Sequence, residues 1–90
     1  MPYRVEFHPK VDKDFARIQP DDVRRILAAI REKLVENPFT VGTPLHGQLS
    51  GFYKMRVGDY RVIYAAKDDI VFVLVVAQRG MVYELARRRK

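Results

Sequence analysis

The sequence has 90 residues and no cysteine, and its 17 Lys and Arg against 11 Asp and Glu give a formal charge of +6. This length predicts one domain, over residues 1–90, and a hydrophobic content of 48% argues against intrinsic disorder. The lack of cysteine excludes disulfides, thiolate nucleophiles and cysteine-bound zinc. The longest apolar run, residues 70–77, is too short to cross a bilayer, and the charged start of the chain is unlike a signal peptide. We therefore expect a cytoplasmic protein whose basic surface suits polyanions, of which nucleic acid is the usual one.

The amino-terminal half predicts one strand and two helices. Residues 3–7 alternate apolar and charged side chains, which is the period of a half-buried strand. Apolar residues at i, i+4 and i+7 predict a short helix over residues 10–18, on which we expect Asp14 to be exposed. The strongest helical period follows in residues 23–34, and it predicts a second helix that Asn37-Pro38 ends.

The carboxy-terminal half is rich in β-branched and aromatic residues. It predicts three strands over residues 52–57, 60–66 and 70–78 and a short terminal helix over 81–88, whereas residues 39–51 read as a loop. The order β-α-α-β-β-β predicts an α+β fold. We expect two helices to pack on one face of a mostly antiparallel, four-stranded sheet.

The predicted hairpin at Gly58-Asp59 places cationic side chains together. A two-residue turn puts Arg56 opposite Arg61, on the same face as Lys54. Like charges across a ladder cost from a few tenths to about 1 kcal/mol, so we interpret this pairing as a site for an anion. A purely solvated surface is the alternative. The opposite face carries Tyr53, Met55, Val57, Tyr60, Val62 and Tyr64.

The turn before the last strand determines which face Arg79 occupies. We predict an odd turn of three residues, Lys67-Asp68-Asp69, because it leaves Arg79 in solvent on the face of Arg61. The same register sets three bulky residues against the helices. They are Phe72, Leu74 and Val76.

Other residues are weaker candidates. Tyr83 is either a packing residue of the terminal helix or a platform on which a base stacks. His46 lies at the mouth of the loop, where it can touch a ligand, and it is too far from the other histidine in sequence to suggest a metal site or a ribonuclease dyad. The run of residues 87–90 predicts a frayed basic tail with phosphate affinity.

Four segments resemble the RelE/ParE superfamily of bacterial and archaeal toxins. They are Leu45-His46-Gly47, the block from Tyr53 to Tyr64, Gln78-Arg79 and Val82-Tyr83. The resemblance runs nearly end to end, and residues 53–64 are its specific part. Position 56 is often lysine in the family and position 78 often histidine, where this chain has arginine and glutamine.

RelE-type members enter the ribosomal A site and cut mRNA, so the resemblance implies a ribosome-dependent endoribonuclease that inhibits translation and needs no metal or organic cofactor. The family's functional residues fall on Lys54, Arg56, Arg61, Arg79 and Tyr83. To these we add a substrate-binding set of His46, Gln78, Arg87 and Arg88. We expect Lys54 to be the base, Arg56 and Arg61 to bind phosphate oxygens, Arg79 to stabilise the departing oxygen and Tyr83 to stack on a base.

The resemblance also implies partners. These are the ribosome with its mRNA, an acidic RelB-like antitoxin that shields the cationic face or displaces the terminal helix, and operator DNA bound through that antitoxin, with no membrane partner. Two other functions stay open at this point. One is a ParE-like inhibitor of DNA gyrase, and the other is a catalytically degenerate, nucleic-acid-binding homologue that acts as a corepressor.

Overall fold

One sheet of five strands organises the chain, for which the computed structural model describes residues 2–90. The strands are β1 (Arg4–Phe7), β2 (Thr43–Pro44), β3 (Tyr53–Val57), β4 (Tyr60–Lys67) and β5 (Ile70–Gln78). The helices are α1 (Val11–Ala16), α2 (Pro20–Ala29), which continues as a π-helical turn over Ile30–Leu34, and α3 (Val82–Arg89). A short 3₁₀ turn spans Gly47–Leu49.

The strand order is β1-β5-β4-β3-β2, with β1 parallel to β5 and the other neighbours antiparallel. The predicted α+β class and the two amino-terminal helices are confirmed. The sheet has five strands instead of four because Thr43 and Pro44, inside the predicted loop, pair with Lys54 and Tyr53 of β3.

Apolar side chains fill both faces of the sheet. The helices α1 and α2 cover one face, where Val11, Ile26, Ile30 and Leu34 bury against the sheet as their helical spacing predicts. The sheet side of this core is formed by Met55, Val62, Tyr64, Val71, Val73 and Val76. On the other face α3 buries Val82 and Ala86 against residues of β4 and β5. The sheet side of this second core is Ile63, Leu74 and Val75.

The predicted three-residue turn before β5 is wrong. Lys67 pairs with Ile70, so only Asp68 and Asp69 form the turn, and Asp68 adopts a φ of 57° that aspartate tolerates better than most residues. A bulge in the β4–β5 pairing at Ile63/Tyr64 then adds one residue to β5. The two-residue turn places Phe72 and Leu74 on the α3 face, and the bulge then returns Val76 to the α1–α2 face, where it was expected.

Asp14 was expected to be exposed, and the structure corrects this. Its side chain is 3% exposed and forms an ion pair with Arg89, itself 8% exposed. Each guanidinium Nη donates to one carboxylate oxygen at 2.7 Å. The predicted frayed tail is therefore wrong up to Arg89, because α3 continues to this residue and its last turn is bound to α1.

The Asp14–Arg89 pair also completes the edge of β5. The strand β1 pairs with β5 only as far as Val73, so beyond that point the edge of β5 opposite β4 has no neighbouring strand. Asp14 Oδ2 accepts a hydrogen bond from the Val76 amide at 3.0 Å, and Arg89 Nη1 donates to the Leu74 carbonyl at 3.1 Å. Buried backbone groups need such partners, so the ion pair takes the place of the missing strand.

Candidate functional site

The β3–β4 hairpin sets three cations on the face of the sheet that α3 partly covers. Arg56 lies directly opposite Arg61, and Lys54 lies opposite Ile63, whose side chain belongs to the α3-side core. Gly58 takes a φ of 59° in the turn, which a residue with a Cβ rarely adopts. The predicted hairpin register and the juxtaposition of the two arginines are confirmed.

Tyr83 joins this cationic face from the first turn of α3. Lys54 Nζ donates a hydrogen bond to Tyr83 Oη at 3.1 Å, and the same nitrogen lies 5.6 Å from the centre of the ring. Both side chains are half-buried, and the ring also packs against the α3-side core. Tyr83 is thus a packing residue that at the same time presents an aromatic ring beside a cation.

Arg61 is held by its own turn. Its Nη1 donates to the carbonyl oxygens of Gly58 at 3.1 Å and Tyr60 at 3.0 Å. No other hydrogen bond of its guanidinium is present within residues 2–90, so most of its five N–H donors are free for a ligand. Arg56, across the ladder, is exposed.

The positive charges of this face are not neutralised by the protein. Within the described part of the chain, none of the four cations Lys54, Arg56, Arg61 and Arg79 takes part in an ion pair. The ion pairs that the structure contains are Arg4–Asp69, Arg24–Asp21, Arg25–Asp22, Arg88–Glu84 and Arg89–Asp14. We define Lys54, Arg56, Arg61 and Tyr83 as the cationic cluster.

Arg79 lies beside the turn of the same hairpin. Its amide donates to the Asp59 carbonyl at 3.1 Å, and the two residues line a shallow cavity of about 340 Å³ together with Gln78 and Gly80. This continues the register in which Arg61 faces Ala77, so alternation puts Arg79 on the side of Arg61. Its side chain is exposed, as predicted.

The remaining substrate-binding candidates are not joined to the cationic cluster. Gln78 pairs with Tyr60 and alternates to the α1–α2 face, although it borders the cavity beside Arg79. His46 is exposed before the 3₁₀ turn, Arg87 is exposed on α3, and Arg88 pairs with Glu84. Over residues 2–90 the side chains of these residues form no hydrogen bond or ion pair with the cluster.

Behind Lys54, a close contact fixes the backbone of β3. Tyr64 is fully buried, donates to the Pro38 carbonyl at 2.7 Å and stacks on Tyr53 at 5.8 Å. A Cβ on Gly42 would lie 2.1 Å from Tyr64 Oη and 2.8 Å from the Lys54 carbonyl, so only glycine fits there. Sequence reasoning missed Gly42 because its role depends on a contact between distant segments, which no local pattern encodes.

Burial, reinforced by the nearby Tyr53, raises the pKa of Tyr64 to about 12. In the part of the chain that the structure describes, no group of three or more His, Cys, Asp or Glu is placed to hold a metal ion. Nor does any helix within residues 2–90 combine the length and apolar character that spanning a membrane requires.

Comparison with known proteins identifies the family. Residues 5–83 match the family model described as the ParE toxin of type II toxin–antitoxin systems, parDE. The chain belongs to this toxin family. Two curated relatives from Mycobacterium tuberculosis carry RelE-type names, so the predicted RelE/ParE resemblance is confirmed. Toxin RelG is 36% identical over 92% of this chain and 98% of its own length, and Toxin RelE is 30% identical over 93% and 89%.

Solved structures agree with this assignment. The toxin–antitoxin complex RelBE2 of M. tuberculosis contains a chain that is 30% identical, with a TM-score of 0.82 over 88% of this chain and 100% of that one. In the archaeal RelE–RelB complex of Pyrococcus horikoshii the values are 32% and 0.69, over 89% and 98% of the two chains. The protein is therefore a toxin of a toxin–antitoxin system, with the RelE fold.

Proposed function

We propose that this toxin is a ribosome-dependent endoribonuclease that cleaves mRNA in the A site and so inhibits translation. The observation that carries the proposal is the cationic cluster with Arg79 nearby, in which the described residues leave all four cations without a carboxylate partner. An anionic phosphate with an unstacked base is the ligand that such a combination of free cations and an aromatic ring suits.

The proposed chemistry is transfer of the phosphoryl group within the RNA, from the 5′-oxygen of the next nucleotide to the ribose 2′-oxygen. The ribose 2′-oxygen attacks phosphorus, the bond to the 5′-oxygen of the next nucleotide breaks, and the products carry a 2′,3′-cyclic phosphate and a 5′-hydroxyl. Negative charge grows on the phosphoryl oxygens during this step, and Arg56 and Arg61 offset it. Their guanidinium groups can bind two phosphate oxygens at once, and their opposed positions on β3 and β4 put both residues on one face of the hairpin.

Lys54 is assigned to the attacking 2′-hydroxyl, and Arg79 is assigned to the departing 5′-oxygen. Lys54, in its neutral form, accepts the proton of the 2′-hydroxyl, and the hydroxyl of Tyr83 positions its Nζ. Arg79 stabilises the departing 5′-oxygen, which takes its proton from water. Tyr83 also offers its ring to the base beside the cut.

Such a site supplies charge but aligns the RNA poorly. Correct orientation of reacting groups contributes about 7–11 kcal/mol to a barrier. A ribosome that presents the message in an in-line geometry supplies this orientation, which is why ribosome-bound mRNA is the proposed substrate and the cytoplasm the proposed location.

An acidic RelB-like antitoxin is the proposed inhibitor. The M. tuberculosis and P. horikoshii neighbours are toxin–antitoxin complexes. An acidic, partly disordered segment would neutralise the cationic cluster or displace α3, which carries Tyr83. Binding to operator DNA would then occur through the antitoxin.

The test compares cleavage of ribosome-bound and naked mRNA by the purified toxin. We expect efficient cleavage only on the ribosome, and we expect Arg61→Ala to slow it by about 10²–10³-fold, the usual effect of removing one transition-state donor. Arg31→Ala, which removes an exposed arginine from the π-helical turn, is the matched control and should cleave normally. Equal rates on both substrates, or an Arg61→Ala protein as active as the control, would overturn the proposal.

The ParE description of the family model favours a second candidate, inhibition of DNA gyrase. A supercoiling assay with purified gyrase separates the two. Inhibited supercoiling with intact mRNA supports the second function, and nucleic-acid binding without either effect leaves a degenerate homologue that acts as a corepressor.

A further inference from the structure

A second cationic surface lies in a cleft between α1 and α3, away from the cationic cluster on β3 and β4. The cleft has a volume of about 330 Å³. Lys10, Lys13 and Arg17 line it from α1 and its two ends, and Leu85, Arg88 and Arg89 line it from α3. Apart from Arg88, which belongs to the substrate-binding set predicted from the sequence, none of these residues is part of the proposed cleavage site.

Three of these cations form a row along α1. Lys10, Lys13 and Arg17 are spaced by three and four residues, so they lie on one side of the helix with rises of about 4.5 and 6 Å between them. All three side chains are exposed. Like charges at this spacing destabilise a helix by a few tenths of a kcal/mol, and a bound anion would relieve this repulsion.

The protein does not neutralise this row. The single carboxylate that borders the cleft belongs to Asp14, and its oxygens are already bonded to Arg89 and to the Val76 amide. Within residues 2–90, Lys10, Lys13 and Arg17 form no ion pair. Their charge is therefore available to a ligand.

We propose that this cleft binds the sugar–phosphate backbone of an RNA strand. Leu85 is the single apolar residue of the lining, whereas a peptide gains most of its affinity from apolar and aromatic anchors. A nucleic-acid backbone needs only cations and N–H donors, which Lys10, Lys13 and Arg17 provide. This binding goes beyond the proposed cleavage and does not depend on it.

The test measures binding of a short 2′-O-methyl RNA oligonucleotide, which cannot be cut by 2′-hydroxyl attack, by fluorescence anisotropy over a range of salt concentrations. The variant is Lys10→Ala/Lys13→Ala/Arg17→Ala. The matched control removes three exposed cations elsewhere, Arg31→Ala/Lys33→Ala/Lys67→Ala, and has the same net charge. Thermal unfolding checks that both proteins are folded.

We expect the slope of log affinity against log salt concentration to fall in magnitude by about 2 in the cleft variant. Each phosphate contact to a single strand contributes about 0.7 to this slope, and the variant removes three cations. The control should lose less than about 0.7. Equal losses in the two variants would show that net charge alone is responsible and would overturn the proposal.

An acidic protein segment is the competing occupant, because a recess lined by Ile18, Tyr60 and Met81 adjoins the cleft. Labelled polyglutamate tests this alternative. Loss of polyglutamate binding in the cleft variant with RNA binding unchanged would assign the cleft to a protein. Because the oligonucleotide is uncleavable, loss of RNA binding in the variant supports the cleft even if the toxin proves not to cleave mRNA.

Discussion

Replacing Arg89 by methionine tests the role of the ion pair at the edge of β5. The substitution removes two charge-assisted hydrogen bonds of 2.7 Å to Asp14 and one bond of 3.1 Å to the Leu74 carbonyl, and it leaves a buried carboxylate without its cation. Breaking a buried pair from one side costs about 3–5 kcal/mol. Total stability for 90 residues is about 5–14 kcal/mol, so Arg89→Met should remove a large part of it.

The double variant Asp14→Leu/Arg89→Met tests whether this ion pair, unlike an ordinary buried one, also serves the backbone of β5. Replacing both partners of a buried pair by apolar residues is often neutral. Here the double variant also leaves the Val76 amide and the Leu74 carbonyl unpaired, at about 1–3 kcal/mol each, so it should stay destabilised.

Urea unfolding followed by far-ultraviolet circular dichroism measures the free energies, and amide hydrogen exchange measures the edge directly. We expect the Val76 amide to exchange faster in the double variant. Arg88→Met, which breaks only an exposed pair with Glu84, is the control and should change stability by less than about 1 kcal/mol. An Arg89→Met protein as stable as this control, or a Val76 amide that stays protected, would refute the account.

Three further predictions concern the region around Lys54. Tyr64→Phe should cost about 1–3 kcal/mol at neutral pH by leaving the Pro38 carbonyl unpaired. It should also make stability fall less steeply between pH 10 and 12. The reason is that a phenol whose pKa is raised to about 12 stabilises the fold below pH 10 and loses this effect as pH rises through 12. An equal fall in the free energy of urea unfolding between pH 10 and 12 in both proteins would contradict this. Gly42→Ala should lower stability by about 1–3 kcal/mol, because its Cβ would overlap Tyr64 Oη, and an unchanged melting temperature would contradict the contact. Tyr83→Phe should keep the stability of α3 within about 1 kcal/mol but reduce mRNA cleavage, because the hydrogen bond to Lys54 is lost while the ring remains, and unreduced cleavage would exclude a positioning role for the hydroxyl.

The sequence predicted the elements and the hairpin because both depend on local patterns. A two-residue turn at Gly58-Asp59 determines that Arg56 faces Arg61, and the period of 3.6 identifies the buried side of α2. The register of β5 was harder, because the bulge opposite Ile63 and Tyr64 reverses the alternation and leaves no clear mark in the sequence.

Asp14 and Arg89 were misjudged although each carries a signal. Asp14 stands three residues after Val11, inside the apolar stripe of α1, and Arg89 stands three residues after Ala86, inside the stripe of α3. A charge at a buried position implies a buried partner of opposite charge. Their charge alone favours exposure of both side chains to solvent. The pair is needed because β1 ends before β5 does, and only the topology shows this.

Local sequence patterns predict only part of the cationic cluster, because the rest depends on tertiary structure. Lys54, Arg56 and Arg61 follow from strand alternation, whereas the approach of Tyr83 to Lys54 depends on how α3 returns across the sheet. That return is a tertiary feature, set by Val82 and Ala86 in the second core.

Mapping of mRNA 5′ ends by primer extension, after induced expression of the toxin, tests the central claim most directly. We predict new ends within the codons of translated messages, their loss in Arg61→Ala and their persistence in Arg31→Ala. Growth arrest by the unmodified toxin without any new mRNA ends would contradict the claim that the free cations of the hairpin cleave RNA.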